Sequence, residues 1–249
     1  GYLALVRTLG RRTAELHLAL AAPTDNPDFA PEPVSRHDLS VWGRSIAQDA
    51  KRTLELLATR RDLLGAADVA KADSLIDARH VLQEQLDRLI PEHPSGVKTR
   101  YHGDYHLGQV LLTHNDFTII DFEGEPARPL DERRRKHSPL RDVAGMLRSF
   151  SYAAATAVAR QTENRTEQHE FLEHEARDWE TEVRRAFVAS YAETARAGGL
   201  FPDWTPAENL IDLFMIEKAL YEVRYELANR PNWVSIPLRG LLALVPAGG

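Results

Sequence analysis

Cysteine is absent from all 249 residues, which removes disulfide frameworks and cysteine-ligated zinc at once. That usage suits a reducing, cytoplasmic setting. Long apolar runs are also missing. No stretch approaches the roughly 18 residues that a membrane helix requires, so no membrane role is expected. Residues 1–20 include Arg7, Arg11, Arg12 and Glu15, which is not the pattern of a signal peptide. Nor is there an excess of positive charge. The net charge of -6 opposes nucleic acid as a main partner, because phosphate-backbone binding needs a basic surface. Internal repeats and low-complexity linkers are lacking too. What remains is ordinary for a folded chain, with 43% hydrophobic and 27% charged residues.

Leu5, Leu9, Leu16 and Leu20 recur at helical spacing, so the chain opens in or near a helix. Pro23, Pro27, Pro31 and Pro33 then interrupt regular structure. Periodicity predicts a helix over Leu39–Leu64 and another over Ala67–Ile90, the latter with Leu75, Leu82, Leu86 and Leu89 on one face. After Pro91, Pro94 and Gly96 the period shortens. Thr99–His102, Gln109–Thr113 and Phe117–Ile120 read as short strands, with Asn115 and Asp116 supplying a turn. An irregular basic stretch to His137 follows. Ser138-Pro139 marks a helix start running to about Arg160. A further helix ends near Gly198-Gly199 and another spans Pro206–Asn229, contributing Leu210, Leu213, Phe214 and Leu220 to the core. The expectation is a mainly α chain with a small β-hairpin element.

The segment His102-Gly103-Asp104-Tyr105-His106-Leu107-Gly108-Gln109 is the densest in polar chemistry. Phosphoryl transfer to a hydroxyl needs a carboxylate beside the acceptor, an amide five residues on that can bind metal, and a second metal-binding carboxylate after a hairpin. Asp104, Gln109 and Asp121 have that order and spacing, since 109 − 104 = 5. Other readings stand beside this one. His102 and His106 are either zinc ligands or braces of the loop. Glu123 and Glu125 are either surface acids or metal or sugar ligands. The run Arg133–His137 either is solvated or places a cation such as Lys136 near phosphate or sugar hydroxyls. Arg141, Asp142 and Arg148 at a helix start form either a buried structural network, the preferred reading, or direct contacts to substrate. Tyr221, Glu222, Tyr225 and Glu226 lie at helical spacing, as core packing or as an aromatic and acidic sugar surface.

His102–His106 resembles the catalytic loop of the aminoglycoside-phosphotransferase-like kinases, and Asp121-Phe122-Glu123 resembles their metal-binding segment. Ser138–Asp142, Gly145–Phe150 and Lys218–Glu226 are similar to segments of the maltokinase branch of that superfamily. The resemblance implies transfer of phosphate from ATP to the anomeric hydroxyl of maltose, with Asp104 as catalytic base and Mg²⁺ on Gln109 and Asp121. Gln109 departs from the usual asparagine, but its amide oxygen still suits a hard cation. The implied acceptor contacts are His106, Glu123, Lys136, Tyr221, Tyr225 and Glu226. Two alternatives come with it: a lobe that docks a trehalose synthase, or a kinase lobe acting on an aminoglycoside. The same resemblance implies an ATP-clamping lobe with a strand lysine. Before Asp104 the only lysines are Lys51, Lys71 and Lys98, none on a credible strand of such a lobe. Residues 1–249 are therefore expected to form the C-terminal kinase-like lobe alone. The N-terminal lobe would lie outside them, leaving the fragment by itself inactive.

Overall fold

The structure, a computed structural model, describes residues 1–126, 128–162 and 169–245. The chain divides into two compact units. The first comprises residues 1–34 and 95–207, and the second residues 35–94 and 208–249. None of the described helices is long and apolar enough to cross a membrane.

The first unit is built on three helices, α1 (Tyr2–Leu20), α6 (Leu140–Thr162) and α7 (His169–Ala197), with α7 packed against both of the others. The face of α1 that carries Leu9, Thr13, Ala14 and His17 is buried, so this apolar stripe includes two polar residues that need partners. Ser138 opens α6 much as its sequence implies, its hydroxyl accepting from the Leu140 amide at 3.4 Å. Gly199, with φ +76°, ends α7 in the left-handed conformation that glycine tolerates. Two small antiparallel sheets complete the unit. β1 (Glu32–Pro33) pairs with β2 (Val97–Lys98), and β3 (Val110–Thr113) forms a hairpin with β4 (Asp116–Ile119). A four-residue helix, α5 (Leu130–Arg133), lies in the basic stretch expected to be irregular.

In the second unit, α2 (Arg36–Thr59) starts with a reciprocal cap. Ser35 Oγ accepts from the Asp38 amide at 3.2 Å, and the Asp38 carboxylate accepts from the Ser35 amide at 2.9 Å. α2 packs on α3 (Ala66–Asp77) and α4 (Arg79–Leu89), and α3 on α9 (Ser235–Leu244). α8 (Thr205–Asn229) enters this unit from residue 208. Leu210, Leu213, Phe214, Leu220, Val223 and Leu227 are all buried on it, the all-round pattern of a core helix. Trp42 meets Phe214 edge to face at 5.6 Å. The leucines expected in the core, Leu75, Leu82, Leu86 and Leu89, are buried.

Three expectations need correction. The helix over Ala67–Ile90 is two helices, broken at Ala78 (φ -78°, ψ 10°). A single residue leaving the helical well barely disturbs apolar spacing, so periodicity runs through the break. The strand over Thr99–His102 is absent. Thr99 makes an isolated bridge to His137, and the amides of His102 and Gly103 go to a side chain instead. The hairpin turn is His114-Asn115, both with positive φ (50° and 62°), while Asp116 belongs to the strand opposite Thr113. A two-residue turn with positive φ at both positions matches the strand twist.

Candidate active site

The residues His102–Gln109 run between β2 and β3 as an irregular loop that closes in a short 3₁₀ turn, Leu107–Gln109. The conformation is fixed mainly from behind. Asp142, buried on α6 at 2% exposure, accepts from the His102 amide through Oδ2 at 2.7 Å and from the Gly103 amide through Oδ1 at 2.9 Å. Tyr105 is buried, and its hydroxyl lies 2.9 Å from Thr13 Oγ1 on α1. Burial and the nearby Asp142 charge raise its pKa, against a smaller opposing effect of the Thr13 bond, so Tyr105 stays a neutral phenol. The Leu107 amide donates to Ser149 Oγ on α6 at 3.2 Å. α6 can approach this closely because residue 145 is glycine. A Cβ there would sit 2.7 Å from the Tyr105 carbonyl oxygen, a contact no side chain tolerates.

Two histidines brace the loop. His102 Nε2 donates to the Ile120 carbonyl at 2.8 Å, which fixes Nδ1 as acceptor for the Asp104 amide at 3.4 Å. The His102 ring also packs between Tyr105 and Phe122, at 5.2 Å and 5.0 Å. His106 Nδ1 accepts from the Gly108 amide at 3.0 Å, and its Nε2 lies 3.9 Å from Asp104 Oδ2. Their nitrogens thus serve the backbone and Asp104, which favours the bracing role over zinc ligation. Asp104 itself is one-fifth exposed, open enough to meet a substrate hydroxyl.

The hairpin brings its two ends together at the loop. The Ile120 amide donates to the Gln109 carbonyl at 3.0 Å, and Gln109 Nε2 donates to Asp121 Oδ2 at 2.9 Å. Asp121 has φ +64°, a conformation uncommon outside glycine and concentrated at functional positions. An amide and a carboxylate side by side at the surface form a suitable partial donor set for a hard divalent cation. Such an ion keeps several waters and takes its remaining ligands from phosphate oxygens. The pair therefore fits Mg²⁺, with Gln109 and Asp121 as the residues that would hold it.

The candidate acceptor contacts fall into two groups. In the first unit, His106 and the exposed Glu123 lie on the loop and on the segment after the hairpin. Lys136 is engaged elsewhere, donating to Glu32 Oε1 at 2.5 Å and to the Pro27 carbonyl at 2.6 Å. Its bond is the largest cause of the lowered Glu32 pKa. In the second unit, Tyr221 and Tyr225 stack at 6.2 Å on α8, with Lys218 over one ring and Arg230 over the other. Glu226 is buried and both its oxygens accept from Arg230, at 3.0 and 2.7 Å. Sequence reasoning missed Thr13 and His17, whose partners lie 92 and 125 residues away. The buried polar positions on the apolar stripe of α1 were the available signal.

The profile of the APH, or Phosphotransferase enzyme, family matches residues 3–179, and the chain belongs to that family. It is 28% identical over 241 residues to a glucosamine kinase of Streptacidiphilus jiangxiensis, covering 96% of this chain and 48% of that protein. It is 27% identical over 243 residues to a glucosamine kinase of Mycolicibacterium smegmatis (strain ATCC 700084 / mc(2)155), covering 98% of this chain and 54% of that protein. The chain thus spans about half the length of these relatives. The solved structure of a glucosamine kinase in complex with glucosamine, ADP and inorganic phosphate superposes with a TM-score of 0.77, over 98% of this chain and 52% of that one, at 23% identity. The kinase-like fold is thereby shown. These relatives give no support to maltose as the acceptor, or to a link with trehalose.

Proposed function

We propose that this chain is the catalytic and acceptor-binding lobe of an ATP-dependent sugar kinase, with an amino sugar of the glucosamine class as acceptor. The observation that carries the reading is the pairing of Gln109 with Asp121 across the hairpin that follows the Asp104 loop, in a phosphotransferase-family chain. The choice of acceptor is supported by two glucosamine kinases that align with nearly the whole chain. The nucleotide-clamping lobe would lie in the half of those relatives that this chain does not span.

In this reading the Asp104 carboxylate accepts a hydrogen bond from the acceptor hydroxyl, aligns its oxygen and takes its proton as transfer proceeds. The His106 ring beside it limits where that carboxylate points. Gln109 and Asp121 would hold Mg²⁺, which when bound neutralises charge on the nucleotide's β- and γ-oxygens. Glu123 and Tyr221 with Tyr225 remain acceptor candidates. Lys136 and Glu226 are better read as supports, given their ion pairs.

The test is a substrate panel on the full-length protein with ATP and Mg²⁺: glucosamine, maltose, glucose and an aminoglycoside. Glucosamine should give the highest kcat/KM. A preference for maltose would restore the maltokinase assignment. Failure to phosphorylate any sugar would remove the sugar-kinase reading.

A further inference from the structure

We propose that His17 and Tyr191 are positioning residues for phosphoryl transfer, acting through Asp142 on the backbone that presents Asp104. The inference rests on the reading of His102–Gln109 as the catalytic loop. Tyr191 on α7 places its hydroxyl 2.9 Å from His17 Nδ1, and His17 Nε2 lies 3.1 Å from Asp142 Oδ2. That same oxygen accepts from the His102 amide at 2.7 Å, and its partner oxygen from the Gly103 amide at 2.9 Å. Tyr191, His17 and Asp142 are at most 2% exposed. The rings of His17 and Tyr191 meet edge to face at 5.5 Å, so packing as well as hydrogen bonding fixes their angle.

The protonation pattern follows from the donors and acceptors. An ionised Asp142 can only accept, so Nε2 of His17 carries the hydrogen that points at it. Nδ1 on the other side of the ring faces the Tyr191 hydroxyl. Burial keeps that hydroxyl protonated, since it raises the Tyr191 pKa well above its ordinary value. The contacts therefore converge on the carboxylate, from the phenol and imidazole on one side and from the two backbone amides on the other.

Those two amides belong to the residues immediately before Asp104. Without His17, the Asp142 carboxylate keeps its two amide donors but loses the side-chain partner that fixes its angle, and the His102 and Gly103 amides face a less firmly held acceptor. The expected consequence is angular. The Asp104 carboxylate wanders while the surfaces that bind nucleotide and sugar stay intact. A misplacement of about 1 Å at a reacting group costs on the order of a hundredfold in rate, so the effect falls on kcat rather than KM.

The experiment uses the full-length protein and the variants His17→Leu, His17→Gln and Tyr191→Phe. Two readouts are taken on each: steady-state kinetics per mole of folded protein, and hydrogen exchange of the His102 and Gly103 amides. His17→Leu should lower kcat by about ten- to a hundredfold with KM values for ATP and sugar within about twofold. It should also speed exchange of the two amides at least about tenfold relative to amides inside α1 and α7. His17→Gln, which keeps an N–H donor near the Nε2 position, should recover most of both. Tyr191→Phe should fall between. Unchanged exchange of the two amides in His17→Leu would overturn the proposal. So would activity loss that merely follows the loss of folded protein. If His17→Leu does not fold, the same exchange comparison is decided by Tyr191→Phe, where unchanged amides again overturn it. Exchange does not depend on turnover, so a protein that phosphorylates no sugar would defeat the kinase reading and leave this arm standing.

Discussion

The two parts of the candidate site are held in opposite ways. The loop His102–Gln109 is anchored from α1 and α6: the buried Asp142 holds two of its amides, the half-buried Ser149 a third, and the buried Thr13 meets the Tyr105 hydroxyl. The segment Asp121–Glu123, by contrast, is exposed. It is held by the Gln109 contact, by the His102–Phe122 ring pair and by an Arg133 bond to the Glu123 carbonyl at 3.2 Å. The difference fits the tasks proposed for each part. Aiming a proton acceptor demands a fixed direction, which low-dielectric buried bonds provide. Admitting a cation with its waters and phosphates demands access, which a surface segment provides.

The largest expected effect tests the exposed half. In the full-length enzyme, Asp121→Ala should abolish Mg²⁺-dependent turnover, measured by a coupled assay across a Mg²⁺ titration. Residual activity that saturates with Mg²⁺ would show that the cation is held elsewhere. Next comes the acceptor-side carboxylate. Asp104→Asn should lower kcat by at least about a hundredfold, the usual scale of general-base catalysis, while sugar binding measured by calorimetry stays close to wild type. Near-normal turnover would remove Asp104 from its role.

Asp142→Ala tests the anchored half directly. It leaves the His102 and Gly103 amides and the His17 N–H without their acceptor. Leaving buried donors unsatisfied costs about 1–3 kcal/mol for each group, to be read by denaturant unfolding. A loss below about 1 kcal/mol would mean that water or another group replaces the carboxylate. Gln109→Ala should be milder than Asp121→Ala, since a neutral amide contributes less than a carboxylate. If it proved the more damaging, the ranking of the two ligands would be reversed.

The smallest effect concerns the hairpin's own tether. Arg12 donates through Nε to Asp116 Oδ1 at 2.8 Å and through a terminal nitrogen to Oδ2 at 2.5 Å. The Arg12 bond, with a further one from the Phe117 amide, brings the Asp116 pKa down to about 2. A carboxylate held below its unfolded value contributes stability above that value. The contribution fades as pH falls from about 4 through about 2. Asp116→Asn should therefore flatten the acid limb of Tm against pH in that window and change little at neutral pH, because exposed pairs contribute little. An unaltered acid limb would show that the tether has no such share.

Legibility in the sequence followed the distance to the partner. Asp104, Gln109 and Asp121 lie within 18 residues of one another, so their order and spacing were visible along the chain. So were the core leucines, whose partners are simply any apolar surface. The turn was misplaced by one residue because His114 is an unusual occupant of a positive-φ position and Asp116 an ordinary turn former. β1 went unseen because Pro33 falls among prolines that interrupt regular structure, and α9 lies beyond Asn229, the end of the last helix expected. Pro237 falls in the first turn of α9, where a missing N–H removes no helical bond. The Arg12, Thr13 and His17 partners are 104, 92 and 125 residues away, and no local pattern reports such pairings.

Those three residues share one helix. Arg12 grips the hairpin, Thr13 the buried tyrosine of the loop, and His17 the carboxylate behind it, all within six residues of α1. At 1.5 Å per residue they span about 7.5 Å, a length set by helical pitch. α1 is thus a ruler. The separations it fixes are those between the parts that would meet metal and the part that would meet the acceptor. Such a scale reads true only in register. One residue inserted between Thr13 and His17 would rotate the far mark by about 100° and leave each fixture intact but wrongly spaced, so that a folded helix would report a misaligned site.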